Sequence, residues 1–323
     1  MNSTPEPLPL ISISIPVFNE ADNLAALHAR LAAVADRMAG RCRLEFLFSD
    51  NSSTDTTWPD LIVLARTDPR VRAIRFAKNV GFQRSILANY LHARGDAVMQ
   101  IDADLQDPPE LLEQFFDLWR QGYHVVYGVR EKRKEGAVIN AIRWLGYRAI
   151  DLVSEYPIPR DAGDFRLIDR KVLNALLRLK TPNPYLRGMI ASLGFLQIGV
   201  PYARDARTAG QSKFGLGRLV GLGLTAVLNH STVPLRVASL LGTLMLGLSL
   251  IGGIYYVTLR LLHPNLPEGL ASIHIIVLFG IGLQSLLLGI VGEYLLRIYV
   301  ILQSEPVAVV RDSINFEPSE LKL

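Results

Sequence analysis

The sequence predicts an α/β domain built on a mostly parallel sheet, followed by a short membrane-embedded segment. Two observations lead to this fold class. Short apolar or β-branched runs alternate with helical patterns between residues 10 and 128, and two long stretches after residue 236 carry almost no charge. The composition agrees with such a division, because mean hydropathy is +0.24 although 20% of the 323 residues are charged.

Five runs have the length and composition of buried strands. They are Leu10 to Val17, Leu44 to Phe48, Val71 to Phe76, Ala97 to Ile101 and Val125 to Gly128. The helical patterns between and after them are Asn23 to Met38, Thr56 to Ala65, Ser85 to Arg94 and Pro109 to Gln121. Helices of this length between strands predict βαβ crossovers and parallel pairing. In such sheets, ligands bind beyond the carboxyl ends of the strands.

Polar motifs follow the first four predicted strands. They read PVFNE (16–20), DNSSTD (50–55), NVGFQ (79–83) and DADLQD (102–107). Asp102 and Asp104 would repel each other without a cation, and with the amide of Gln106 they form a hard oxygen-ligand set typical of Mg²⁺ or Mn²⁺. A solvated turn is the alternative. We therefore expect a divalent metal at the end of the fourth strand.

Two apolar stretches predict membrane-spanning helices. Val237 to Leu259 contains no formal charge, and a helix of that length reaches about 34 Å, enough for a hydrocarbon core of about 30 Å. In the second stretch, Gly269 to Gly292, His274 is the only titratable side chain. Buried core helices are the alternative, but they seldom avoid charge over about 20 residues.

The charge distribution predicts which part of the chain is cytoplasmic. Basic residues precede the first apolar stretch at Arg204, Arg207, Lys213, Arg218 and Arg236. The positive-inside rule then places the N-terminal part in the cytoplasm, and the N-terminus has no signal-peptide pattern. The single cysteine, Cys42, excludes an intrachain disulfide and a Cys-rich metal site. A net charge of +4 is too small to indicate a nucleic-acid partner.

The order of motifs resembles a known family. The motifs are PVFNE, DNSSTD, NVGFQRSILAN, DADLQDPPE, DAGDFRLIDR and RTAGQSKFG, followed by the two apolar stretches. They resemble the polyprenyl-phosphate glycosyltransferases of glycosyltransferase family 2, which are relatives of dolichyl-phosphate mannose synthase. The bacterial bactoprenyl-phosphate glucosyltransferase branch has the most similar layout. The resemblance runs from about residue 10 to about residue 300.

The resemblance implies a GT-A fold and an inverting, metal-dependent hexosyl transfer. The implied donor is a nucleotide sugar, with UDP-glucose the first expectation. The implied acceptor is a membrane polyprenyl phosphate, with undecaprenyl phosphate the first expectation. Mannose, an N-acetylhexosamine and an aminoarabinose-type sugar remain open as the transferred group. A homotetramer in the bacterial inner (plasma) membrane, with the catalytic domain in the cytoplasm, also follows from this layout.

The resemblance also assigns donor-site residues. Pro16, Phe18 and Glu20 are expected at the base and ribose, and Asp50 at the other side of the base. Many relatives carry a second Asp and a Gly after that Asp, where this chain has Asn51 and Ser52. Asp102 is expected at the ribose or the metal. Asp104 and Gln106 are expected as ligands of the metal that holds the diphosphate.

Cationic residues are expected where two phosphates meet. We assign phosphate contacts to Arg130, Arg207, Lys213 and Arg148, because guanidinium forks match phosphate oxygens and a Lys supplies a point charge. Residues 132–134 are at least as well explained as a solvated basic face near anionic lipids.

With Asp104, Asp164 is the second expected catalytic carboxylate. A phosphate monoester is mostly dianionic at pH 7, so Asp164 is as readily an orienting group as a general base. A structural ion pair with Arg166 is the alternative.

These assignments divide the chain into four parts. They are a catalytic domain (1–206), a juxtamembrane segment (207–232) in which we expect an interfacial helix, a transmembrane hairpin (233–300) and a cytosolic tail (301–323). Two rival functions remain. A processive polysaccharide synthase is disfavoured because the nearest match to Gln-x-x-Arg-Trp, residues 140–144, precedes Asp164. A catalytically inactive, membrane-tethered binding protein is disfavoured by the intact acidic motifs.

Overall fold

The computed structural model describes residues 7–130, 162–179, 184–203, 269–302 and 306–321, together with scattered positions between 240 and 262. The chain divides into two compact units. The first contains the described residues up to 203 and those from 306 onward, and the second contains the described residues between 240 and 302.

A mixed sheet forms the centre of the first unit. Its strands are β1 (Leu10–Val17), β2 (Arg43–Asp50), β3 (Val71–Phe76), β4 (Ala97–Gln100), β5 (Val125–Arg130), β6 (Ala162–Asp169), β7 (Gln197–Tyr202) and β8 (Val310–Ile314). Their spatial order is β7-β5-β6-β4-β1-β2-β3-β8. The pairs β1–β2, β1–β4, β2–β3 and β5–β7 are parallel. Strand β6 is antiparallel to β4 and β5, and β8 is antiparallel to β3. The predicted α/β class with a mostly parallel sheet is confirmed.

Helices connect and cover these strands. They are α1 (Ala21–Arg37), α2 (Thr57–Thr67), α3 (Phe82–His92), α4 (Leu112–Arg120), α5 (Arg170–Leu176) and α6 (Leu186–Ser192). A 3₁₀ turn at Pro109–Leu111 leads into α4, and another lies at Pro318–Glu320. The five predicted strands and four predicted helices are all present, with ends shifted by a few residues. Strands β6, β7 and β8 and helices α5 and α6 were not predicted from the sequence.

Strand β1 illustrates how a polar pattern can lie in the middle of a sheet. Its isoleucines Ile11, Ile13 and Ile15 are buried in a core that also contains the inner face of α1. The intervening serines point to the opposite face, because side chains alternate along a strand. They are buried too, but each is paired: Ser12 Oγ donates to Glu45 at 2.5 Å, and Ser14 Oγ donates to Gln100 at 2.6 Å. Paired hydroxyls avoid the cost of burying a polar group alone.

A small ionic network joins α1, α2 and the start of β3. Asp68 Oδ2 lies 2.9 Å from His28 Nε2, and the same carboxylate accepts hydrogen bonds from the Arg70 side chain, the shortest at 2.8 Å. Burial alone would raise the pKa of Asp68, but the bonds from Arg70 and His28 outweigh it and lower the pKa to about 2. The ionised carboxylate therefore stabilises the folded state.

This network predicts an acid-dependent loss of stability. Because the pKa of Asp68 falls from 3.8 to about 2 on folding, its contribution is complete above pH 4 and is lost as the pH falls towards 2. The Asp68→Asn variant should lack this component, which we expect to be about 1 kcal/mol. Urea unfolding of both proteins between pH 7 and pH 2 measures the difference. Parallel curves for the two proteins would contradict the assignment.

The second unit contains helix α7 (Leu270–Leu302), which includes the second predicted apolar stretch except Gly269. Many large apolar side chains along α7 are exposed, among them Ile276, Phe279, Leu288 and Leu302. Over the described residues alone, no helix combines the length and hydropathy needed to cross a membrane. The two spans stay a prediction.

Candidate active site

A cavity of about 370 Å³ opens beyond the carboxyl ends of the central strands. Five of the residues predicted for the site line it, namely Pro16, Phe18, Glu20, Asp102 and Asp104. Pro16 lies at the end of β1, and the other four follow β1 or β4, which are neighbours in the sheet and run in the same direction. Parallel strands that end together therefore bring the two motifs to one place.

Backbone turns with positive φ shape the loops around this cavity. Asn19, Ser52 and Leu105 have φ of 55°, 62° and 62°. Such conformations are uncommon in residues other than glycine, and other contacts must hold them. The Asn19 N–H donates to Ser53 Oγ at 2.9 Å, and the Asn19 side-chain oxygen accepts from the Thr54 N–H at 2.8 Å. The loops after β1 and β2 thus fix one another.

These loops present an aromatic ring and a carboxylate to the cavity. Phe18 is 46% exposed, which is unusual for a phenylalanine and leaves a flat apolar surface open to a ligand. Glu20 is the N-cap residue that precedes α1, and its carboxylate accepts a hydrogen bond from the Asn23 side chain at 2.6 Å.

Asp50 lies beneath the loops rather than among the lining residues described. It is fully buried, accepts a hydrogen bond from the Ser53 N–H at 2.9 Å, and lies 3.1 Å from Arg75 Nε. Asn51 lines the cavity in its place and donates to the Asn79 side chain at 3.0 Å. The contact between Asp50 and a nucleotide base stays a prediction.

Two carboxylates at the end of β4 could hold a divalent cation. Asp102 and Asp104 line the cavity, and the Gln106 N–H donates to Asp104 Oδ1 at 3.2 Å across the turn at Leu105. Gln106 itself is buried and is absent from the described lining. In the part of the chain that the structure describes, no three His, Cys, Asp or Glu side chains converge on a metal position. Two carboxylates still fit Mg²⁺, whose other ligands are commonly substrate phosphates and water.

Asp164, on β6, is held from two sides. Arg187 at the start of α6 donates to its two oxygens at 2.9 and 3.0 Å, and Gln83 Nε2 donates to Oδ2 at 3.1 Å. Arg166 lies farther away, at 3.8 Å. Burial alone would raise the pKa of Asp164, but the hydrogen bond and charge of Arg187, with the charge of Arg166, lower it below its usual value. A carboxylate so occupied is a weak proton acceptor and a well-fixed negative charge.

Arg130, at the end of β5, belongs to a chain of polar contacts. Its Nε donates to the Tyr202 hydroxyl at 3.4 Å, and that hydroxyl donates to Asp107 at 2.5 Å. Burial alone would lower the pKa of Arg130, but the bond to Tyr202 and the charges of Asp107 and Asp102 raise it. The guanidinium is also close to Gly163, since a Cβ there would lie 2.9 Å from Arg130 Nη2. The Arg130 guanidinium is thus positioned by Tyr202 near the acidic residues that follow β4.

Comparison with known proteins identifies the family. The model described as "Glycosyl transferase family 2" matches residues 12–177, half of the chain. This chain belongs to glycosyltransferase family 2. The resemblance stated from the motifs is therefore confirmed, and so is the expectation of a transferase with an α/β, GT-A-like fold.

Relatives of this family 2 glycosyltransferase match it over nearly its whole length. An uncharacterized glycosyltransferase of Bacillus subtilis (strain 168), YkcC, is 38% identical over 311 residues, which is 96% of each chain. An SfII prophage-derived bactoprenol glucosyl transferase of Shigella flexneri is 30% identical over 310 residues, 95% of this chain and 99% of its own. Among solved structures, a mannosyltransferase from Pyrobaculum calidifontis in complex with GDP-Man and Mn²⁺ has a TM-score of 0.49 at 19% identity, covering 70% of this chain and 64% of its own.

Some site predictions for this glycosyltransferase lie outside the described residues, and some described residues were not predicted. Arg148, Arg207 and Lys213 fall in the first group. Arg187 and Gln83 fall in the second. Gln83 ends the NVGFQ motif that follows the third predicted strand, but no role was predicted for it, and Arg187 follows no predicted strand. Their link to Asp164 depends on how β6, α3 and α6 pack together.

Proposed function

We propose that this protein transfers a hexose from a nucleotide sugar to a membrane polyprenyl phosphate. UDP-glucose and undecaprenyl phosphate are the first candidates, because relatives of near-full coverage carry the name bactoprenol glucosyl transferase. The observation that carries the proposal is the meeting of Phe18, Glu20, Asp102 and Asp104 in one cavity. That cavity offers an aromatic surface on which a base can stack and two carboxylates that can bind a metal. A nucleoside diphosphate sugar requires both.

The donor site follows from the lining residues. A volume of about 370 Å³ lies within the usual range of ligand pockets, about 300–1,000 Å³. The exposed ring of Phe18 suits a nucleotide base, and the carboxylate of Glu20 suits ribose hydroxyls or base N–H groups. Asp102 and Asp104 would hold Mg²⁺ or Mn²⁺. When bound, the cation neutralises negative charge that develops on the departing diphosphate.

The transfer is a single displacement. A lipid phosphate oxygen forms a bond to the anomeric carbon while the bond from that carbon to the donor diphosphate breaks, so the configuration inverts. Since the acceptor is already ionised near pH 7, little proton removal is needed. The low pKa of Asp164 and its fork with Arg187 favour an orienting role over that of a base.

We further propose that Val237 to Leu259 and Gly269 to Gly292 cross the membrane. The exposed apolar side chains of α7 would then face lipid. Strand β8 follows α7 in the sequence, and it pairs with β3, which comes before the apolar stretches. Both flanks of the apolar region therefore lie on one side of the bilayer, which requires an even number of crossings. With the basic residues before the first span, that side is the cytoplasm.

A donor panel tests the proposal. Membranes containing the protein are incubated with Mg²⁺, undecaprenyl phosphate and one of UDP-glucose, UDP-N-acetylglucosamine or GDP-mannose. We expect one sugar to appear as a lipid-phosphate monoglycoside. A long polymer would support the processive synthase instead. Nucleotide binding without any transfer would support the inactive binding protein.

Arg130 is expected to act on the acceptor. Replacing it with Ala should raise the acceptor KM about 10-fold or more, because a charge-assisted bond contributes about 1.5–3 kcal/mol, while the donor KM changes less than about twofold. Initial rates with each substrate varied in turn measure the two constants. Arg120→Ala, at the exposed end of α4, is the matched control. A raised donor KM with an unchanged acceptor KM would move Arg130 to the donor side.

A further inference from the structure

Gln83, the second residue of α3, makes two hydrogen bonds of opposite kind. Its Nε2 donates to Asp164 Oδ2 at 3.1 Å, and its Oε1 accepts from the backbone N–H of Leu186 at 3.0 Å. Among the side chains that can hydrogen-bond, an amide offers both a donor and an acceptor without carrying charge. The carboxylate accepts only and the backbone N–H donates only, so these partners define which way the amide points.

The two bonds join three separate elements of the first unit. Leu186 is the first residue of α6, and the preceding residue, Tyr185, makes no side-chain cap. The N–H groups at a helix start have no partner within the helix, so Gln83 supplies from α3 what a cap would supply locally. The next residue, Arg187, forms the fork to Asp164 at 2.9 and 3.0 Å. Gln83 thereby positions both members of that ion pair.

We propose that Gln83 is a positioning residue that sets the orientation of Asp164 and Arg187 towards the acceptor phosphate. The proposal rests on the proposed function, since it concerns the same transfer. The proposal also depends on the charge of the groups around Asp164. Among the described residues, the guanidinium groups of Arg187 and Arg166 lie 2.9 and 3.8 Å from Asp164, so these three side chains together carry one net positive charge towards an anionic acceptor. A neutral amide at position 83 preserves that surplus, and a carboxylate there would cancel it.

Two variants separate the effect of the two hydrogen bonds from the effect of charge at position 83. Gln83→Met keeps the length of the side chain and removes both bonds. We expect kcat to fall about 10- to 100-fold, because small misplacements of reacting groups have effects of that size, with the donor KM and UDP affinity within about twofold of wild type. Gln83→Glu can still accept from Leu186 but sets a second carboxylate against Asp164. We expect this variant to raise the acceptor KM as well.

The pH profile gives a readout that a purely structural role would not change. In the part of the chain that the structure describes, the charged or titratable groups facing Asp164 are Arg187, Arg166 and Tyr90, and burial raises the pKa of Tyr90. None of these titrates between pH 4 and 8 in its usual state. In Gln83→Glu, two adjacent carboxylates share a proton, so the acid limb of kcat should move to higher pH, whereas in Gln83→Met it should stay. Gln114→Met and Gln114→Glu, on the exposed face of α4, are matched controls.

The outcomes distinguish this proposal from the proposed function. Wild-type transfer to undecaprenyl phosphate tests the function alone. If the wild type uses a different acceptor, the ratio of Gln83→Met to wild type is measured with that acceptor. A kcat within twofold of wild type in Gln83→Met overturns the positioning role. So does a parallel loss of kcat and UDP affinity, because that pattern indicates a disturbed fold. Selective loss of kcat together with the shifted acid limb in Gln83→Glu supports it.

Discussion

Replacing Asp104 with Asn is expected to lower kcat by about 10³-fold or more and to abolish the response to added Mg²⁺ or Mn²⁺. Lewis-acid stabilisation of a departing diphosphate contributes several kcal/mol, and each 1.36 kcal/mol corresponds to about 10-fold in rate. The Asn side chain keeps an oxygen that can accept the Gln106 N–H, so the turn at Leu105 should persist. The change therefore removes a charged ligand without removing the local fold.

The measurement is the initial rate of sugar transfer during a titration with each metal, and in EDTA. Asp117→Asn is the matched control, since Asp117 lies on α4 and pairs with Arg41 at the surface. It should leave rate and metal response unchanged. Full wild-type activity in EDTA would show that the two carboxylates at the end of β4 serve another purpose, and that Asp104 must be reassigned.

The part of this site that the sequence predicted depends on a simple property of parallel sheets. Residues such as Phe18 and Asp104 come from motifs more than 80 positions apart, but each directly follows a strand with an unmistakable apolar run. Once both strands are predicted parallel and central, their ends must meet. The spacing of apolar residues and the position of turn residues can be seen within a short stretch of sequence. Strands β1 to β5 and helices α1 to α4 could therefore be predicted.

The elements that were missed lack such local signals. Strand β8 reads VRDSI, with two charged residues in five, and its exposure alternates because Val310 and Ile314 pack against the apolar core. Strand β7 contains Gly199 and Pro201, which are uncommon in strand interiors. Strand β6 reads AGDFRLID, and its three charged residues in eight are not typical of a buried strand. Arg187 lies on the unpredicted helix α6, and the bonds that Arg187 and Gln83 donate to Asp164 depend on where β6 lies, so these contacts required the structure.

The tail after α7 is an integral part of the sheet. Strand β8 covers the edge of β3, and the side chain of Asn315 donates to the Val71 carbonyl at 2.7 Å. Arg72 is only 1% exposed, and two of its partners come from the tail: the Asn315 carbonyl at 3.2 Å and the Glu320 carboxylate at 2.8 Å. The Phe316 ring lies 3.9 Å from its guanidinium carbon.

Removing the tail should therefore destabilise the first unit strongly. A chain ending at Ser304 leaves Arg72 with Glu45 as its remaining carboxylate and uncovers the β3 edge. Loss of a partner from a buried charge destabilises by about 3–5 kcal/mol, a large share of the 5–15 kcal/mol typical of a folded domain. We expect the β3 amides to exchange with solvent far faster and the cavity beyond the carboxyl ends of the strands to be lost with the fold.

A point variant tests the same idea without removing the strand. Glu320→Gln should lower the free energy of unfolding by about 1–2 kcal/mol, because it takes a charge from buried Arg72 while Glu45 remains. Asp312→Asn, in the same tail, should change it by less than about 0.5 kcal/mol, since its pair with Arg311 is exposed. Hydrogen exchange and urea unfolding of the full chain compare the two. Equal effects of the two variants on the free energy of unfolding would mean that the tail acts through strand pairing alone. An unchanged free energy of unfolding in the chain that ends at Ser304 would mean that the sheet is complete without the tail.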